Sequence, residues 1–208
     1  MARAIWLARH GSRRDFDDPR WAEGASRPYD SPLSAEGRRQ SRALADRLAG
    51  ERVAHLFSSP FLRCVETAAP IAARLGLAIH LELGLCEWLN AEWFSKAPDL
   101  LPVGELARRF PGVEAGYRSR GAARYGESGE EALRRSGETA RALAAEFEGG
   151  LAMVGHGASV LGALTALLGV GPRDAPDLGY GCLVELVQED GRWTCGSLFR
   201  PRLPVTGR

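Results

Sequence analysis

Two short apolar runs that break off into glycine and histidine constrain this chain more than anything else in it. Ala4 to Ala8 leads into "RHGSRRD", and "LAMV" leads into "GHGAS" at residues 151–159. An apolar run of about five residues bounded by glycine suits a strand buried on both faces, as in a parallel sheet. In an open α/β sheet, side chains that follow the carboxyl ends of such strands collect at one rim. The repetition therefore predicts a parallel sheet with histidines on a shared edge.

The intervening segments supply the helices. "PLSAEGRRQSRALADRL" starts with Ser34 as N-cap and Glu36 in the first turn, with Leu44 and Leu48 one turn apart. Val53 to Ser59 reads as a second strand. "SPFLRCVETAAPIAARLG" reads as a helix capped by Ser59, with Pro60 at its first position and Gly76 closing it. A third strand begins at Leu77 in "LAIHLEL". Residues 84–126 are irregular, with Trp88, Trp93 and Phe94, three prolines and a short helix from Gly104 to Phe110. Ser128 and Glu131 form a capping-box pair. The helix they open carries Leu133, Ala140, Ala144 and Phe147 on one stripe, interrupted by Gly137 at some cost. A helix from about Ala158 to Leu168 follows the second histidine motif. A hairpin turning at Glu189 to Gly191 closes the chain.

Strands alternating with helices define the α/β class, a three-layer α/β/α sandwich with a mostly parallel sheet and an antiparallel edge. No repeat or linker divides the 208 residues, so residues 1–208 are read as one domain, with 84–126 as a cap insertion over one end of the sheet. Lys+Arg 27 against Asp+Glu 26 leaves a net charge of +1, which gives no support for nucleic-acid or membrane binding. Cys64, Cys86, Cys182 and Cys195 show neither zinc nor C-x-x-C spacing and read as reduced thiols. With no signal-like or membrane-spanning stretch, the expected location is cytoplasmic.

Four strand exits deliver Arg9, His10, Arg63, Glu87 and His156 to one rim. Arginine forks hold the oxygens of a phosphoryl group, and a neutral imidazole nitrogen can attack phosphorus. Cationic neighbours depress a histidine's pKa, which is what a nucleophilic His10 needs. Glu87 is the available acid for the leaving oxygen. Each residue alone has an ordinary structural reading: a polar turn, a turn histidine, a solvated helix arginine, a surface ion pair. The aromatics at Trp88, Trp93 and Phe94 read as cap core, and His55 and His80 as structural.

The segments "ARHGSR", "SSPFLRCVETA", "LCEW" and "VGHGAS" resemble, in order and over nearly the whole chain, the histidine phosphatase superfamily, which includes the cofactor-dependent phosphoglycerate mutases. Within it, "RHGSRRD", "GLCEW" and the Glu127-Ser128 pair are most similar to the branch of suppressor-of-T-cell-receptor-signalling and ecdysteroid-phosphate phosphatases. The resemblance implies a phosphoglycerate mutase-like fold and a phosphohistidine on His10. It implies a phosphate pocket from Arg9, Arg13, Arg63 and His156, with Glu87 as proton donor. It implies no metal and no organic cofactor. Ser12 stands where the family usually has glutamate. The ubiquitin-associated and SH3 regions of animal members are not matched, so their partners are not carried over.

The expected activity is hydrolysis of a phosphate monoester, either a small molecule or a larger phosphoryl ester. Phosphoglycerate mutase is the alternative, and a non-catalytic phospholigand-binding module ranks third. The oligomeric state is open, a homodimer included.

Overall fold

In the computed structural model, which describes residues 3–201, the opening apolar run forms strand β1, Arg3–Arg9. The first two and last seven residues of the 1–208 span lie outside the described residues. After it come two single-turn helices, α1 (Arg14–Asp17) and α2 (Trp21–Gly24), then α3 (Ala35–Leu48) and β2 (Val53–Ser58). Next are α4 (Leu62–Leu75), β3 (Ile79–Leu81), α5 (Val103–Arg109), α6 (Gly129–Glu146) and β4 (Gly150–Gly155). Helix α7 (Gly157–Leu168) and the hairpin β5 (Leu183–Glu189) and β6 (Arg192–Phe199) complete the set.

The sheet runs in the order β3-β2-β4-β1-β5-β6. Its first four strands are parallel, and the hairpin adds the antiparallel edge. Alternation along β1 shows how the layers form. Trp6 and Ala8 pack with Leu44, Leu48, Val65 and Ala68 of α3 and α4. Ile5 and Leu7 pack on the opposite face with Leu143, Val160 and Leu164 of α6 and α7.

Gly137, read from sequence as a cost within its helix, has a packing reason. A Cβ there would stand 2.6 Å from the Ala166 side chain and 3.0 Å from the Gly162 carbonyl, so α6 and α7 approach as closely as they do because both residues are glycine. The stripe on α6 ends one residue early, since Phe147 is the C-cap.

Two local expectations are corrected. Helix α4 begins at Leu62 with Phe61 at its cap, so neither Ser59 nor Pro60 starts it. Ser59 is drawn off to His156, and the Leu62 amide donates instead to Asp30 at 2.8 Å, a partner from a distant segment. Strand β3 is shorter than "LAIHLEL", because the Glu82 carboxylate accepts from the Gly84 amide and bends Leu83–Leu85 into a 3-10 turn.

Candidate active site

Strands β1 and β4 are neighbours in parallel register, with Arg9 opposite Gly155. The next residue of each strand is a histidine, so the register alone sets His10 beside His156, with ring centroids 5.2 Å apart. Strand β2 flanks β4 on the other side and delivers Ser59. Arg63, the second residue of α4, reaches back to both rings.

The His10 ring is oriented by its own backbone neighbourhood. Its Nδ1 lies 2.7 Å from the Gly11 carbonyl oxygen, which can only accept, so Nδ1 carries the proton. Nε2 is left as a lone pair, facing the Arg63 Nε–H at 3.3 Å. Burial pushes the His10 pKa well below the usual histidine value, and the Arg63 and Arg9 charges push the same way against the opposing pull of the Gly11 carbonyl. His10 is therefore a neutral imidazole whose unprotonated Nε2 accepts from Arg63 and is freed for attack only when that contact loosens.

His156 is fully buried. Its Nδ1 receives Arg63 Nη2 at 3.1 Å, so Nε2–H donates to Ser59 Oγ at 2.9 Å. Burial, reinforced by Arg63, lowers its pKa to about 4 despite the opposing pull of Glu87. It also sits at the N-cap of α7, where the helix's positive end disfavours a second proton.

Glu87 Oε2 stands 3.4 Å from His156 Nδ1 and 3.7 Å from Arg63 Nη2. Burial raises its pKa, but nearby positive charge and hydrogen bonds outweigh burial and bring it down to about 2. His156 is neutral at pH 7, so its share of that effect vanishes there. Arg63 and the Trp88 amide, 3.0 Å from Oε1, then keep the carboxylate ionised.

Arg63 is 1% exposed, yet its Nη1 has no partner among the described residues, and neither has the buried Nε of Arg9. Buried donors without acceptors are costly, and two of them from two guanidiniums beside His10 suit an oxyanion. Arg9 is fixed by the Leu178 carbonyl at 2.6 Å and by the Tyr180 ring, 3.9 Å beneath it. The donor atoms of His10, Glu87 and His156 lie within 4.8 Å of one another, a set that could ligate a cation. The Arg63 fork stands among all three, however, and its fixed charge matches the cluster to an anion.

Arg13 differs from its neighbours. Its fork is spent on Asp15, with Nε 3.0 Å from Oδ1, and the guanidinium lies over the Phe16 ring. It lies at the rim and would have to exchange Asp15 to hold an anion. His55 and His80 are away from the site: His55 meets the Phe147 ring, and His80 stacks on Tyr117 and pairs with Glu114. The reading of the cap aromatics as core suits Phe94, which packs against the core cluster, but not Trp93, which is 58% exposed.

Sequence reasoning missed Tyr180, whose ring lies 5.4 Å from that of His10, and Phe16, 5.9 Å further out. Phe16 lay within the irregular stretch, and Tyr180 precedes the hairpin without any motif around it. No helix among the described residues is long and apolar enough to cross a membrane.

A family model described as histidine phosphatase superfamily (branch 1) matches residues 5–200. Human ubiquitin-associated and SH3 domain-containing protein A is 31% identical over 186 residues, covering 79% of this chain and 28% of that protein. A probable phosphoglycerate mutase of Photorhabdus laumondii is 30% identical over 133 residues, 57% of this chain and 60% of its own. The chain thus spans about a third or less of the length of the first curated relatives it matches. Among solved structures, ecdysone phosphate phosphatase from Bombix mori in complex with tungstate superposes with a TM-score of 0.84 at 23% identity, over 99% of this chain and 97% of that one.

Proposed function

The chain belongs to the histidine phosphatase superfamily, branch 1, and on that footing we propose that it hydrolyses phosphate monoesters through a phosphohistidine on His10. The observation that carries this reading is the unprotonated Nε2 of His10 among buried guanidinium donors that lack acceptors. Nε2 attacks phosphorus in line while the P–O bond to the leaving alcohol breaks. Arg9 and Arg63 hold the phosphoryl oxygens through their unpartnered Nε and Nη1, respectively. His156 joins them once its Nε2–H is released by Ser59, and Arg13 once it lets go of Asp15. The departing oxygen takes its electron pair and a proton from Glu87. Water then attacks the phosphohistidine, gives a proton to Glu87, and the P–N electrons return to His10 as phosphate leaves.

Glu87 is ionised in the free protein, so the proton must enter with the substrate. A monoester monoanion carries one, its second pKa being about 6. Binding an anion beside the carboxylate then raises the Glu87 pKa and lets the proton settle there. No step calls for a metal or an organic cofactor.

Residues 84–126 begin with the loop that carries Glu87, and we take them as a cap over the rim within one catalytic domain. The exposed Phe16 and the Tyr180 ring at the mouth favour an ester with an aryl or apolar group. That an ecdysone phosphate phosphatase shares the fold, and is described with the tetrahedral anion tungstate, supports both points.

The test is hydrolysis of p-nitrophenyl phosphate beside isomerisation of 3-phosphoglycerate, with an alkaline quench to trap acid-labile phosphate. Hydrolysis should dominate, and His10→Ala should abolish both turnover and the trapped phosphate. Isomerisation outpacing hydrolysis would make the chain a mutase. Normal turnover by His10→Ala would remove the nucleophile.

A further inference from the structure

Arg135 and Glu127 take no part in the chemistry above, yet their side chains are only 9% and 4% exposed and pair with each other. Arg135 lies on α6, and Glu127 immediately precedes the Ser128 cap of that helix. The guanidinium Nη1 donates to the Gly84 carbonyl at 2.8 Å and to the Cys86 carbonyl at 3.2 Å. Nη2 donates to the carbonyl of Glu87 itself at 3.1 Å. The remaining edge of the fork, Nε and Nη2, closes on the Glu127 carboxylate at 2.9 and 2.5 Å. Glu127 in turn accepts from the Leu89 amide at 3.2 Å, and its own carbonyl accepts from the Trp88 indole at 2.8 Å.

Residues 86–90 form neither strand nor helix, so their backbone groups have no ladder to join. A single ion pair fixes that backbone both before and after Glu87. The geometry points to the Arg135–Glu127 pair as the device that positions the Glu87 carboxyl as proton donor. Arg135 reaches no reacting atom in this arrangement; it acts through the loop, and the inference rests on the acid role given to Glu87. A planar guanidinium suits the task, since it serves three carbonyls and one carboxylate from fixed directions. Misplacing an acid by a fraction of an ångström weakens proton transfer while leaving phosphate binding and nucleophilic attack intact.

The expected signature is selective loss. The neutral pair Arg135→Gln/Glu127→Gln avoids leaving one charge buried alone, and Arg135→Lys keeps a cation opposite Glu127 should the double variant fail to fold. Both residues also line a surface cavity of about 360 Å³, from which water can reach a shortened side chain. With glycerol 2-phosphate, whose alkoxide needs a proton, the double variant should lose roughly 10²-fold in kcat/KM. With p-nitrophenyl phosphate it should lose less than about 3-fold, with acid-labile phosphate still trapped at His10, since a leaving group that scarcely needs a proton escapes the effect. Arg135→Lys should show the same split at intermediate size. Equal losses on both esters, or no loss on either, would overturn the inference. Glu87→Gln separates the two levels: if it lacks the split, the acid role falls and takes this inference with it. If Glu87→Gln shows the split and the Arg135 variants do not, only the positioning role falls.

Discussion

Tyr180 touches two charged or reactive groups at once, with its ring 3.9 Å below Arg9 and 5.4 Å from His10. Phe16 extends that surface outward from Tyr180 and is 55% exposed. Arg13, the N-cap of α1, lies over its face, so the start of that short helix presents an aromatic ring and a guanidinium side by side. Removing the ring should weaken binding of an aryl ester and leave the chemistry at His10 alone. Phe16→Ala is expected to raise KM for p-nitrophenyl phosphate about three- to tenfold, the equivalent of roughly 1 kcal/mol of lost aromatic contact. KM for an alkyl phosphate and kcat for both should change less than twofold. A kcat loss shared by both esters would place Phe16 in the scaffold and not in the substrate site.

Between elements, the sharpest constraint is the crossing of the His10 loop over the start of α3. A Cβ on Gly11 would stand 2.5 Å from the Gly37 carbonyl oxygen and 2.8 Å from its Cα, and one on Gly37 would collide with the Ser12 carbonyl. Alanine at position 37 gains about 1 kcal/mol in helix propensity. It gives up more by pushing backbone against backbone, where overpacking costs about 1–3 kcal/mol and neither atom can rotate away. Gly37→Ala should therefore lower Tm and reduce kcat/KM tenfold or more; wild-type activity and an unchanged melting curve would show that the loop yields freely. Ser12 needs no glutamate to hold this loop, since its amide donates to Gln40 at 2.8 Å and its carbonyl accepts from the Ser34 amide at 2.9 Å. These contacts mark the boundary of what sequence can reveal. Ser34, Ser128 and Glu131 announce their helices through local hydrogen bonds, and all three do so here. Likewise, apolar runs ending in histidine announce strands that share a rim. The Asp30 cap of α4, the Asp15 grip on Arg13, the Arg135 clamp and the Gly11–Gly37 crossing arise from pairings that no local pattern encodes.

For the whole molecule, the site writes two opposite signatures into the dependence of stability on pH. The His156 pKa falls from 6.5 to about 4 on folding, chiefly through burial. Between those values the unfolded chain binds the proton and the folded chain does not, so this residue removes stability as pH drops below 6.5, by about 3 kcal/mol in all. Asp30 runs the other way. Burial raises its pKa from 3.8 to about 6, so the folded chain binds the extra proton and stability is lost as pH rises through 6. The two largely cancel between pH 4 and 6 in the intact protein, and only variants reveal them. His156→Gln no longer pays for keeping a ring neutral, so its deficit against wild type should be smaller at pH 4.5 than at pH 7.5. Asp30→Asn carries no charge to desolvate, so its deficit should instead be smaller at pH 7.5 than at pH 4.5. Denaturant melts at the two pH values read both differences directly. If His156→Gln instead showed its smaller deficit at pH 7.5, the neutral state of the His156 ring, and with it the electrostatic account of the rim, would be wrong. The same reversal for Asp30→Asn would overturn only the burial of the Asp30 charge.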